Sequence, residues 1–383
     1  MALHFSAEEF AERRRRAIVA MAEAKLDGLL MFRQESMYYL TGYDTFGYVF
    51  FQCLYLGADG TLTLLTRAPD LLQAKHTSVI SDIRIWADAP DAEPAEQLRE
   101  ILASHGCKGK RLGVEWEAYG LTARNGQRFA AALEGLCTLA DASELVSRLR
   151  VVKSPAELAY VRRAAELGDA ALDEARQLAK PGASEGDILA AMHGAVYRGG
   201  GDPPANEYVI GSGPDALLCR YKSGRRTLDA DDQLTLEFAG AYRHYHSCLM
   251  RTLAIGRADP RLSEMHKAAV EALQASEAAL NPGHSFGDVF DAHARTLDAL
   301  GHRAHRLNAC GYSLGTTFAP NWMDWPMLYH GNPVPIAPGM VIFLHMILFD
   351  AEHGLAMTLG RTSEVTATGG RVLSRAGLDF TLD

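Results

Sequence analysis

The stretch that decides the fold is Leu234-Thr-Leu-Glu-Phe-Ala-Gly-Ala-Tyr-Arg-His-Tyr-His-Ser-Cys-Leu-Met-Arg-Thr252, two strand-like limbs joined by a short turn. It gathers Glu237, Tyr242, His244, His246 and Cys248 within a few residues. Side chains alternate along a strand with period two, so His244, His246 and Cys248 are expected to project together with Tyr242. Histidines on a half-exposed hairpin usually do no more than meet water. Glu237 weighs against so plain a reading, because it interrupts the apolar run Leu234, Leu236, Phe238 and a buried carboxylate is costly unless paired or working.

Outward from that hairpin, 383 residues suffice for two ordinary domains, each with its own core. Net charge is -9, with acidic and basic residues interspersed and no long basic run, which speaks against nucleic acid and for a small-molecule substrate. The six cysteines are scattered without CxxC pairs, as in a reduced cytoplasmic protein rather than a zinc module or disulfide framework. The first residues start a charged amphipathic helix with Arg13 to Arg16, and no run reaches membrane-spanning length, so neither export nor a membrane is expected.

Ser6 to Glu9 reads as a capping box for a helix reaching about Ala24. Strands are expected at Gly28–Phe32, Tyr38–Tyr43, Val49–Leu56, Thr61–Thr66, Ile83–Trp86 and Arg111–Glu115, with helices from Pro90 to Ala103 and Thr122 to Leu136. That alternation describes an α/β domain over residues 1–147 with a partly parallel sheet. A sharp new start follows at Ser154-Pro-Ala-Glu157, which supplies an N-cap, a first-turn proline and a carboxylate three residues on. Residues 148–383 then hold helices to Leu178, from Ser184 to Val196, Pro260–Leu280 and Phe286–Leu300, and strands at the central hairpin, Val341–Leu348 and Leu355–Val372. Helices segregated from strands make this second domain α+β, with helices packed over an antiparallel sheet.

In this order and spacing, Arg150-Val-Val-Lys-Ser-Pro-Ala-Glu-Leu158, Arg251-Thr252, Pro338-Gly-Met-Val341 and Val365-Thr-Ala-Thr-Gly369 through Leu373-Ser374 resemble the pita-bread enzymes: aminopeptidase P, prolidase, methionine aminopeptidase and creatinase. The resemblance covers the whole chain and implies a creatinase/prolidase-type N-terminal domain, a pita-bread catalytic domain, and a homodimer in which one subunit's N-terminal domain helps cover its partner's site.

The departures bear on function. The peptidases that this chain resembles hold two metal ions on two Asp eleven residues apart, a His and two Glu. Here those positions fall on Glu237, Cys248, Tyr312, His345 and Gly360, leaving one carboxylate. A two-metal hydrolase needs several anionic oxygens, so the expectation is no metal and no other cofactor. Two alternatives remain: a dinuclear manganese or cobalt site if Glu364 supplies the last ligand, or a single zinc on His244, His246, Cys248 and His345. The resemblance to metal-free ectoine hydrolase and creatinase implies a hydrolase opening a C–N bond of a small polar metabolite. A metal-dependent Xaa-Pro peptidase and a binding protein without activity are the competing readings.

In the favoured reading Glu237 is nucleophile or general base, and His244, His246 or His345 carries a proton to the leaving nitrogen. Tyr312 and Trp322 form walls able to face a cation, with Tyr242, Tyr221 and His330 nearby and Tyr38, Tyr43 and Phe46 brought across the dimer. Arg220 holds a substrate carboxylate. Gly311-Tyr-Ser-Leu-Gly315 matches a serine-hydrolase elbow, but Thr316-Thr-Phe-Ala-Pro320 makes a poor helix start, so Ser313 is not expected to be a nucleophile.

Overall fold

The computed structural model describes residues 3–220 and 224–382 and divides into two compact units, one up to Arg150 and one from Val151. The first begins with helix Ala7–Glu23, capped as expected by the Ser6 hydroxyl, which accepts from the Glu9 N–H. Its six-stranded sheet runs in the order Asp82–Trp86, Leu62–Arg67, Cys53–Gly57, Gly28–Met31, Arg111–Val114, Thr138–Asp141. The central Gly28–Met31 pairs parallel to Arg111–Val114 and antiparallel to Cys53–Gly57, giving the mixed sheet that the alternation of elements predicts.

Tyr38–Tyr43 is not a strand. Helix Gln34–Thr41 takes its place: a buried carboxylate anchors the chain just before its first turn and a glycine closes its end. Glu115 accepts from the Phe32 and Arg33 N–H groups and the Ser36 hydroxyl, and Gly42, at φ 83, closes the last turn onto the Tyr38 carbonyl. Burial around the whole helix hides the period that would have marked it.

In the second unit Ser154 makes the full capping box with Glu157 and starts helix Pro155–Leu178. An eight-stranded sheet follows the order Asp324–Met327, Gly311–Ser313, Val341–Asp350, Leu355–Thr366, Tyr245–Ile255, Asp232–Tyr242, Val209–Ser212, with Gly369–Val372 added to Leu355–Thr366. The strands pair antiparallel in a curled sheet, and helices Pro155–Leu178 and Pro260–Ala279 cover one of its faces. Ile342, Leu344, Met346 and Leu348 turn toward those helices in a core shared with Leu273, Phe286 and Leu359. Contact is closest at Gly240, where an added Cβ would lie 2.0 Å from the Ala164 carbonyl oxygen and 2.5 Å from the Gly168 nitrogen. Only a glycine lets this strand lie directly on the helix backbone.

The hairpin turns beyond Tyr242, later than in a reading that groups Tyr242 with the second limb. Arg243 and His244 have φ of 49° and 64°, the left-handed pair that a two-residue hairpin connection demands. Tyr242 therefore ends the first strand and His244 sits in the turn, so they do not join His246 and Cys248 on one face of the second strand.

Candidate functional site

Strand register builds the uncovered face. Glu237 lies opposite Val209 on one side and Met250 on the other, Met250 opposite Gly360, and Gly360 opposite His345, so one row crosses five strands. Tyr312 pairs with Phe343, two residues from His345, and shares their face. Over this row lies a cavity of about 320 Å³ bounded by Glu237, Arg220, Tyr312, Trp322, Met250 and His345, among others.

Glu237 opens into the cavity but is otherwise enclosed by protein. Loss of hydration raises its carboxyl to about 7, against the opposing pull of the Tyr312 hydroxyl and the Arg220 charge. Tyr312 donates to Glu237 Oε1 at 3.3 Å and accepts from Trp322 Nε1 at 2.9 Å. Burial and the neighbouring Glu237 hold the phenol protonated, pushing its pKa well above the usual value. His345 is buried, its imidazole pushed down to about 3 by lost hydration and by His293, so it enters as a neutral ring. Its Nδ1 has no hydrogen-bond partner among the described residues, although it borders the cavity.

The remaining sequence candidates lie elsewhere. His246 is fully buried and both ring nitrogens are engaged: Nε2 accepts from the Ala205 N–H at 2.9 Å and Nδ1 faces Thr317 Oγ1 at 3.1 Å. Burial lowers its pKa to about 3, which suits a fixed structural imidazole and not a shuttle. His244 stacks on Phe318 with centroids 4.1 Å apart. Tyr242 meets Tyr160 edge-on, and His330 is exposed beside Asp291 at 2.8 Å. Tyr38 and Tyr43 are buried inside the N-terminal unit, bonded to His4 and Thr66, so neither offers a free ring; Phe46 is exposed. Tyr221 lies outside the described residues. Ser313 is buried in a strand, and residues 314–323 contain no helix, which removes the elbow geometry.

Sequence reasoning missed two contributors. Arg251, buried in an apolar strand, binds the Met250 and Gly360 carbonyls beneath the row; it carries the same signal as Glu237, a charge in an apolar run. Thr317 donates to the Trp322 carbonyl at 3.4 Å, a contact with no local sequence signature.

The donors do not suit a dinuclear metal centre. Cys248 is a buried thiol held protonated by lost hydration, and the Tyr312 hydroxyl is engaged on both sides. At Gly360 a Cβ would stand 2.7 Å from the Leu344 carbonyl oxygen and 3.0 Å from the Phe343 ring, which fills the space a carboxylate would need. Glu364 is drawn away into ion pairs with Arg162 and Arg371 at 2.9 and 2.8 Å. Among the described residues no group of three or more His, Cys, Asp or Glu is placed to hold a metal ion, the histidine and cysteine set considered for zinc included.

A curled antiparallel sheet under helices, preceded by a separate mixed-sheet unit, defines the pita-bread class with a creatinase-type N-terminal domain. Residues 159–367 match metallopeptidase family M24 and residues 13–152 match the creatinase/prolidase N-terminal domain. The chain is a hydrolase of the M24 family. It is 28% identical over 379 residues to an uncharacterized hydrolase/peptidase of Sinorhizobium fredii, covering 96% of this chain and 95% of the relative. It is 26% identical over 375 residues to the ectoine hydrolase of Halomonas elongata, covering 94% of each. The dipeptidase PepE of Mycobacterium ulcerans superposes with a TM-score of 0.85 over 99% of both chains at 23% identity, a likeness of fold. No helix among the described residues is long and apolar enough to cross a membrane.

Proposed function

We propose that this chain is a metal-independent hydrolase that opens a C–N bond in a small polar metabolite, with Glu237 as its reacting group. The observation that carries the reading is a carboxylate raised to about 7, at the centre of the strand row, facing a cavity of about 320 Å³ whose lining holds one other acid, Glu207. A base poised near neutrality can take a proton from water and return it. In an amidinium substrate the water oxygen bonds to the central carbon as the C=N π pair returns to nitrogen, and one water proton passes to Glu237. Glu237 then gives that proton to the departing nitrogen, which leaves as the amine while the remaining hydroxyl becomes the amide carbonyl and releases its proton to solvent. His345 supplies a neutral hydrogen-bonding ring and Arg220 an anchor for a carboxylate. His244 and His246 have no part in proton transfer in this scheme, since one stacks in a turn and the other is tied at both nitrogens.

Likeness to the ectoine hydrolase supports cyclic amidines as the first class to try, while the family's peptidases make Xaa-Pro dipeptides the comparison. Cytoplasmic location and a homodimer belong to the same reading.

The test is metal analysis of the purified protein together with turnover of ectoine, creatine, other cyclic amidines and Xaa-Pro dipeptides. Amidine hydrolysis that survives chelator and vanishes in Glu237→Ala is expected. Bound manganese, cobalt or zinc with chelator-sensitive dipeptide cleavage would replace this reading with a peptidase. Biological activity retained in a folded Glu237→Ala protein would point to binding alone.

A further inference from the structure

Two hydrogen-bonded segments that meet in Trp322, one at its carbonyl and one at its indole, lead from the hairpin to Glu237. The first begins at the Ala205 backbone N–H, which can only donate, and which donates to His246 Nε2. Nε2 is thereby the acceptor of a neutral ring, so the proton of His246 sits on Nδ1. That Nδ1–H faces Thr317 Oγ1 at 3.1 Å and donates to it, leaving the Thr317 hydroxyl proton for the Trp322 carbonyl at 3.4 Å. Trp322 in turn donates from Nε1 to the Tyr312 oxygen at 2.9 Å. An indole N–H has no acceptor function, so Tyr312 must place its own proton elsewhere, and the acceptor in reach is Glu237 Oε1 at 3.3 Å.

Within each segment the donors are fixed by a group that can only donate, the Ala205 N–H in the first and the Trp322 indole N–H in the second, and the segments are joined through the covalent frame of Trp322. His246, Thr317, Trp322 and Tyr312 are all buried, so water does not compete strongly for these bonds. The second oxygen of Glu237 is left for whatever enters the cavity.

We propose that His246 and Thr317 are positioning residues of this site, holding the Trp322 backbone so that its indole meets the Tyr312 oxygen and Tyr312 donates to Glu237. The inference rests on Glu237 being the reacting carboxylate, yet its geometry is testable without any substrate. It gives the buried histidine of the hairpin a role that its tied nitrogens permit, orientation in place of proton transfer.

The experiment observes the indole N–H signals of protein labelled with ¹⁵N-tryptophan, which carries four tryptophans: Trp86, Trp116, Trp322 and Trp325. Trp322→Phe assigns the signal of interest. In the unaltered chain the Trp322 indole proton should be downfield and exchange slowly with D₂O. Tyr312→Phe removes its acceptor and should move it upfield, with exchange faster by about tenfold or more. Thr317→Val, which keeps the shape and removes the hydroxyl, should shift the same signal and speed its exchange while Trp86 and Trp116 stay in place. Thr317→Ser should restore the unaltered spectrum. An unchanged Trp322 signal in Thr317→Val, or the same change in Thr317→Ser, would overturn the proposal. These outcomes are independent of the turnover assays: a failed substrate panel leaves the indole results standing, and an unresponsive indole leaves hydrolysis by Glu237 untouched.

Discussion

The Tyr312 hydroxyl donates to Glu237 Oε1 at 3.3 Å in a cavity whose lining also includes the acid Glu207. One donor does not offset the lost hydration, which is why the carboxyl rises to about 7. The folded chain therefore binds a proton that the unfolded chain has released between pH 4.5 and 7. In that window the unfolded state holds fewer protons, so this group's contribution to stability falls as pH rises. Glu237→Gln keeps the acceptor for Tyr312 and removes the charge. At pH 8 it should stabilise the protein by about 2 kcal/mol, reduced from the ~3 kcal/mol that the full shift implies because the cavity admits solvent. Urea denaturation at pH 8 and pH 5 checks this: the gain should be present at pH 8 and small at pH 5.

Some of this was legible beforehand because it is written locally. The capping box at Ser154 and Glu157, the helix at Ser6 and the burial of Glu237 follow from neighbours a few residues apart. Helix Gln34–Thr41 was not legible, since its deciding partner, Glu115, lies some eighty residues away and its buried circumference shows no period. The hairpin turn was misplaced because Arg243 and His244 are not residues that advertise a left-handed conformation. That shift separates His244 from His246, and tertiary contacts at Ala205 and Thr317 then decide what His246 can do.

Acid should unfold this protein early. His246 and His345 are held near 3 and His293 near 4 by burial, all below the ordinary imidazole value. The unfolded chain then binds more protons at every pH below about 6.5, so stability present at neutral pH is lost as the pH falls. At pH 5 each ring costs about 2 kcal/mol relative to pH 7. Glu237 opposes part of this, since its contribution grows as the pH falls; the urea midpoint should still drop between pH 7 and 5, and His293→Leu should lessen the loss by about 2 kcal/mol. A midpoint insensitive to pH across this interval would contradict the buried neutral rings.

Gly360 reports on whether a metal-binding side chain could return. Its Cβ would meet the Leu344 carbonyl oxygen at 2.7 Å and the Phe343 ring at 3.0 Å. Gly360→Ala should cost about 1–3 kcal/mol by overpacking, and Phe343→Leu in the same chain should recover part of that by freeing the ring's space. Thermal unfolding of the two single variants and the double variant measures the coupling; independent effects would mean the ring is not what crowds this position.

Arg220 separates anchoring from chemistry. It borders the same cavity as Glu237, and its charge is one of the two influences drawing that carboxyl downward. If it holds a substrate carboxylate, Arg220→Gln removes a charge-assisted contact of about 1.5–3 kcal/mol, which is roughly a 10- to 100-fold rise in KM. A neutral amide analogue of the same substrate should lose far less, because it never made that contact. The substitution should also raise the Glu237 pKa and so move the acid limb of the kcat/KM profile toward higher pH, since less positive charge favours the protonated carboxyl. Steady-state kinetics on the acid and its amide across pH 5–9 test both effects. Equal losses on the two substrates with no movement of the acid limb would place the Arg220 charge outside the working site.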